Sequence, residues 1–169
     1  DIEELDITSF DAIYDFCFNQ KVDIIINTAA YTQVDLAEQE IERAYLINSN
    51  GVSNIVDVCK KLSIFLVHIS TDYIFDGSFN GAYSEEMIPN PISVYGQSKW
   101  EGESKVLESG IPSIMIRTSW LYSEYCKNFL KTILKLTKEK EEIQVVSDQT
   151  GTPTYAGDLA EVVMKCIEK

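Results

Sequence analysis

Apolar and polar positions along this chain follow two alternating periods. Phe10, Ile13, Phe16 and Cys17 recur at helical spacing, and Thr8 or Ser9 can cap a helix that runs to about Asn19. Val22 to Asn27 is a short apolar run rich in isoleucine, the form of a strand buried on both faces. A long helical stretch follows, from about Ile41 to Leu62, and then a strand from Ile64 to Ser70. The helix that holds Tyr95 meets no proline or turn pair until Gly110-Ile111-Pro112. Beyond it the pattern predicts a buried strand over Ser113 to Thr118, a helix over Asn128 to Lys138, a strand over Ile143 to Val146 and a last helix from Asp158. Strands alternating with helices build parallel βαβ units, so the predicted class is α/β with a doubly wound parallel sheet.

Composition narrows the functional classes. A net charge of −13 argues against a nucleic-acid partner, because phosphate binding needs a basic surface, and reads as a solvated surface. At 169 residues the chain is one domain or most of one. No apolar run approaches the roughly 20 residues that span a bilayer, so no membrane partner is expected. Cys17, Cys59, Cys126 and Cys166 are widely separated and lack metal-ligand spacing, which fits a reducing, cytoplasmic setting and no metal. His68, inside Phe65-Leu66-Val67-His68-Ile69, is expected to be a strand residue with a satisfied ring.

The chemistry-bearing residues cluster at the ends of predicted strands. Asn27-Thr28-Ala29-Ala30 follows the first strand, Ser70-Thr71-Asp72 the second and Ser119-Trp120 the third. Open parallel sheets bind ligands at the carboxyl ends of their strands. Tyr95 and Lys99 stand four residues apart, on one face of a helix. A phenol is a poor acid near neutrality, with an ordinary pKa of about 10, and a neighbouring cation brings the phenolate within reach. Of the nine tyrosines, Tyr95 is the one followed by lysine at this spacing, which points to proton transfer at a carbonyl or alcohol oxygen. Bland readings stand beside these: Thr71 as a strand-capping hydroxyl, Asp72 as a turn cap, Trp120 as core, Asn48 as helix packing, and the glutamates near position 40 as a solvated face.

Several segments carry a family resemblance: Ile26 to Asp35 (INTAAYTQVD), Ser70 to Gly77 (STDYIFDG), Pro91 to Glu103 (PISVYGQSKWEGE), Arg117 to Tyr122 (RTSWLY) and Asp148 to Thr154 (DQTGTPT). Together they resemble the extended short-chain dehydrogenase/reductases, and within them the dTDP-4-dehydrorhamnose reductases. The resemblance covers nearly the whole chain. It implies a Rossmann-like sheet, NADPH or NADH as cofactor, and a nucleotide-sugar substrate whose C4 keto group is reduced. It also implies one possible assembly of the complete protein, a homodimer. Asp6 and Ile7 would meet the adenine edge, Ala29, Ala30 and Thr32 would line the cofactor, and Lys99 would hold its ribose and lower the pKa of Tyr95. Tyr95 would protonate the sugar oxygen, with Thr71 hydrogen-bonding it, while Val34, Thr71, Asp72 and Trp120 would face the substrate.

The family's opening glycine-rich turn is absent from these residues. By the resemblance, residues 1–169 are then a partial NAD(P)-binding domain with part of the substrate region, lacking the first strand or strands and the complete C-terminal lobe. Two other readings remain open. One is a non-catalytic regulatory subunit of the methionine adenosyltransferase type, which resembles the same reductase family. The other is a different sugar-nucleotide epimerase or dehydratase, against which the single acid of Thr71-Asp72-Tyr73 argues.

Overall fold

In the computed structural model, residues 4–168 are described, and the chain divides into two compact units, 1–117 and 118–169. The first unit begins with helix α1 (Phe10–Gln20), capped where Ser9 Oγ accepts from the Ala12 amide. Strand β1 (Ile24–Asn27) follows, then short helices α2 (Val34–Ala37) and α3 (Ile41–Tyr45). A π-helical segment (Leu46–Gly51) joins α3 to α4 (Val52–Leu62). Strand β2 (Phe65–Thr71) leads through a 3₁₀ turn (Asp72–Ile74) and a long loop to α5 (Val94–Ser109) and β3 (Ser113–Thr118).

The sheet order is β1-β2-β3, with β1 parallel to β2 and Asn27 opposite His68. Ile13 and Cys17 of α1, Ile55 and Cys59 of α4, Leu66 of β2 and Val106 of α5 close one core on a single face of this sheet. The α/β class expected from the alternation is the one found.

Four expectations are corrected. Phe16 is half exposed and does not share the buried stripe of Ile13 and Cys17. On β1, Ile24 and Ile26 are exposed while Ile25 packs in the core, because a period of two sends them to opposite faces and at this edge strand the described residues cover only the face of Ile25. The single helix expected over Ile41 to Leu62 is interrupted by the π segment, which buries the polar Asn48 and Ser49. Ile143 to Val146 forms no strand, and Val145 and Val146 are exposed. A β-branched run needs a neighbouring strand to pair with, and it has none among the described residues.

The second unit holds a two-stranded parallel sheet of β4 (Leu121–Tyr122) and β5 (Thr154–Tyr155), with α6 (Phe129–Glu139) and α7 (Ala156–Ile167). Asn128 caps α6 through the Lys131 amide. All four cysteines are free thiols, and no helix among the described residues is long and apolar enough to cross a membrane.

Candidate active site

Strand β2 ends at Thr71 and α5 starts at Val94, and the two meet through buried polar groups. Thr71, Tyr95 and Lys99 are all buried. Ser93 caps α5 by accepting from the Gly96 amide, which fixes where the first turn begins. Gly96 and Gly102 let the helix come close to its neighbours. A Cβ on Gly96 would lie 2.2 Å from the Tyr73 carbonyl oxygen, and one on Gly102 2.1 Å from that of Asn48. Helix α5 therefore lies backbone to backbone against the 3₁₀ turn and the π segment. Tyr95 packs edge-on against Tyr73, with ring centroids 5.5 Å apart, and shares a small cluster with Tyr31, Ala37 and Val34.

The electrostatics correct one expectation. Burial pushes the Tyr95 phenol above its ordinary value, and the charge of Asp72 adds to this, while a hydrogen bond from Thr71 opposes it. Lys99 is not among the influences on Tyr95. Its ammonium instead donates to the Ile69 carbonyl at 2.8 Å, and burial brings its pKa down to about 8 against the opposing charge of Glu103. Thr71 stands at a branch point. Its oxygen accepts from the Tyr73 amide, capping the 3₁₀ turn, and its one hydroxyl hydrogen can serve Asp72 Oδ1 (3.3 Å) or Tyr95. Burial also raises Asp72, with hydrogen bonds from Thr71 and two backbone amides opposing the rise.

At the end of β1, Asn27 Oδ1 accepts from the Ala29 amide and Nδ2 donates to His68 Nδ1 at 3.0 Å. Burial, aided by the charge of Lys99, lowers the His68 pKa to about 3, so the ring is neutral and carries its proton on Nε2. That nitrogen has no hydrogen-bond partner among the described residues, so the ring is only half satisfied. The expectation of a satisfied histidine is corrected: a strand position facing helices offers apolar neighbours more readily than acceptors.

The loop carrying Ala29, Ala30 and Thr32 is pinned by Asn48. Its side chain accepts from the Tyr31 amide at 2.8 Å, donates to the Tyr31 carbonyl at 3.0 Å and reaches Ser98 Oγ on α5. Asn48 thus ties that loop to the helix of Tyr95 and Lys99. The sequence marks it only as an asparagine inside an apolar helical stretch, and the π segment that aims it has no sequence period. Asp6 accepts from the Thr8 amide and hydroxyl, and Ile7 lies against Gly51 while its carbonyl accepts from Asn54. Both residues therefore hold the start of α1 and the π segment in place.

Trp120 belongs to the second unit and is described within it. It is half exposed with a left-handed backbone (φ 46°), so it is not core. A Cβ on Gly151 would lie 2.5 Å from its indole, and Ser119 Oγ donates to the Thr152 carbonyl. The Gly-Thr-Pro-Thr turn is what shapes the surroundings of Trp120.

Besides the role of Asn48, sequence reasoning missed the joint role of Ser70, Glu103 and Arg117. Glu103 is fully buried, accepts from Ser70 Oγ at 2.6 Å and pairs with the Arg117 guanidinium. Arg117 also donates to the Glu85 carbonyl and covers the Phe75 ring. The available signal was positional: Glu103 is four residues beyond Lys99, and Arg117 is the one charged residue of its strand.

The family described as RmlD substrate binding domain matches residues 1–169. A dTDP-4-dehydrorhamnose reductase of Aggregatibacter actinomycetemcomitans is 45% identical over 169 residues, covering 100% of this chain and 58% of that protein. The spore coat polysaccharide biosynthesis protein SpsK of Bacillus subtilis is 45% identical over 143 residues, covering 85% of this chain and 50% of its own. Among solved structures, a dTDP-4-dehydrorhamnose reductase from Bacillus anthracis in complex with NADP superimposes with a TM-score of 0.97 at 44% identity, covering 100% of this chain and 60% of that one. The chain thus spans little more than half the length of these relatives.

Proposed function

The chain belongs to the RmlD substrate binding domain family, and from that premise we propose that it is part of an NAD(P)H-dependent reductase. The reaction is reduction of the C4 keto group of dTDP-4-dehydro-L-rhamnose to the alcohol of dTDP-L-rhamnose. The observation that carries this reading is the burial of Thr71, Tyr95 and Lys99 together where β2 meets α5. Relatives named as reductases of dTDP-4-keto sugars support the substrate class, and the relative crystallised with NADP supports NADPH.

The residues present fit a nicotinamide cofactor. Lys99 gives one ammonium hydrogen to Ile69, which leaves two to offer a ribose hydroxyl, and Ala29 and Ala30 are small enough to let a flat ring approach. Bound NADPH or NADH supplies hydride to the sugar carbon. Tyr95 donates the proton to the developing alkoxide, and Thr71 donates a hydrogen bond to the same oxygen. Lys99 holds the ribose through the ammonium hydrogens that Ile69 leaves free. Asp6, Ile7 and Thr32 complete the cofactor side and Val34 and Asp72 the substrate side, while a substrate role for Trp120 rests on the family resemblance alone.

Turnover of dTDP-4-dehydro-L-rhamnose by the complete protein, followed by NADPH consumption, tests this reading. Tyr95→Phe keeps the ring packing and removes the proton donor, so activity should fall by about 10²–10⁴-fold with little change in cofactor affinity. Normal reduction by that variant would sink the assignment of Tyr95. Absence of reduction by the unmodified protein would leave the regulatory-subunit reading and the epimerase or dehydratase reading in its place.

A further inference from the structure

Three successive residues of β2 each engage one of three residues spaced four apart on α5. The Ile69 carbonyl accepts from Lys99, Ser70 Oγ donates to Glu103, and the Thr71 hydroxyl opposes the rise of the Tyr95 phenol. Tyr95, Lys99 and Glu103 lie at i, i+4 and i+8, so they form one stripe on the helix. The third member of the stripe is fully buried and has no place in the proton transfer described above. A buried carboxylate is costly unless paired and hydrogen-bonded, and this one has both forms of support. Ser70 holds Oε2, while Arg117 from β3 holds Oε1 through Nε at 2.9 Å and through Nη2.

We propose that Glu103 is a positioning residue for the Tyr95–Lys99 pair: clamped by Ser70 and Arg117, it sets the register of α5 on β2 and supplies the fixed negative charge that keeps Lys99 an ammonium. The inference rests on the reductase reading only in taking Lys99 as functional. Lys99 shares its helix face with Tyr95 and Glu103 and acts on His68 of β2, while Asp72 and Tyr73 in the 3₁₀ turn act on Tyr95 and Arg117 of β3 is held by Glu103. His68 is neutral, and Arg117 is engaged by Glu103. Of these groups, Glu103 is the one whose charge acts on Lys99, and it opposes the loss of the proton that burial favours. A carboxylate free to swing would not give a constant field. The Ser70 and Arg117 contacts remove that freedom, and the same contacts stop α5 from sliding along β2.

The test reads the ε-carbon resonance of Lys99 in isotope-labelled protein without cofactor or substrate, assigned by its absence in Lys99→Met. Lys99 should titrate near 8 in the unmodified protein. Glu103→Gln keeps the shape and an acceptor for Ser70 but removes the charge, so the midpoint should fall by about one pH unit. Glu103→Asp should restore most of the fall, which a merely space-filling role would not do. Should Glu103→Gln leave Arg117 unpaired and the protein unfolded, the double variant Glu103→Gln/Arg117→Gln removes both charges, and its Lys99 midpoint should fall in the same direction. An unchanged midpoint in either folded variant overturns the proposal. A shifted midpoint in a protein that reduces no sugar nucleotide would instead sink the reductase reading and leave this one standing.

Discussion

At the scale of single residues, burial outweighs the charge effect that the Tyr95–Lys99 spacing suggests. Four residues on a helix place a phenol and an ammonium on one face, yet the ammonium turns to the Ile69 carbonyl and the phenol is raised. Thr71 is what holds the phenol back. Thr71→Val keeps the side-chain shape and removes both the donor and the cap on the Tyr73 amide. The Tyr95 ionisation should therefore move further upward, read as the difference in phenolate absorbance between Thr71→Val and Thr71→Val/Tyr95→Phe. The lost cap should cost about 1 kcal/mol in urea unfolding. If the complete protein is the reductase proposed above, its turnover should also drop by about 10²-fold, the usual cost of one donor to a developing oxyanion. A Tyr95 titration that moved down, or stayed in place, would show that the Thr71 hydrogen serves Asp72 alone.

At the scale of elements, two glycines decide how α5 sits. Alanine is normally favoured over glycine inside a helix by up to about 1 kcal/mol. At Gly102 the added Cβ would meet the Asn48 carbonyl oxygen at 2.1 Å, and a backbone atom cannot turn aside as a side chain can. Gly102→Ala should therefore destabilise by about 1–3 kcal/mol or more despite its propensity. It should also loosen the loop pinned by Asn48, visible as faster amide exchange at Tyr31. A stability gain would mean that α5 stands further from the π segment than described. The three main strands were legible because each is an apolar run with a partner to pair with. Ile143 to Val146 has the same composition and no partner, so composition misled there, and the two-residue strands β4 and β5 are too short to carry a period. Tyr95, Lys99 and Thr71 were legible because each sits in a local motif. Asn48, Ser70, Glu103 and Arg117 were not, because what joins them is tertiary: 50 residues separate Asn48 from Ser98, and 33 separate Ser70 from Glu103.

At the scale of the whole molecule, the buried neutral His68 links folding to pH. Its ring titrates near 3 in the folded chain against an ordinary 6.5. The folded state thus refuses a proton that the unfolded state accepts. Above the ordinary value both states are neutral and the ring costs nothing. As pH falls below it, the unfolded chain gains the proton first, and stability drops by up to about 1.4 kcal/mol per pH unit until the folded value is reached. His68→Gln isolates this contribution, since a glutamine can still accept from Asn27 but does not titrate. Between about pH 7 and about pH 5, the unmodified protein should lose roughly 2 kcal/mol more than the variant, whatever fixed penalty the variant carries. Amide exchange in β2 under increasing urea reads the first unit specifically, so the second unit's own unfolding does not enter the comparison. Equal losses in the two proteins would mean that water or another acceptor reaches the Nε2 proton, and that the ring can charge in place.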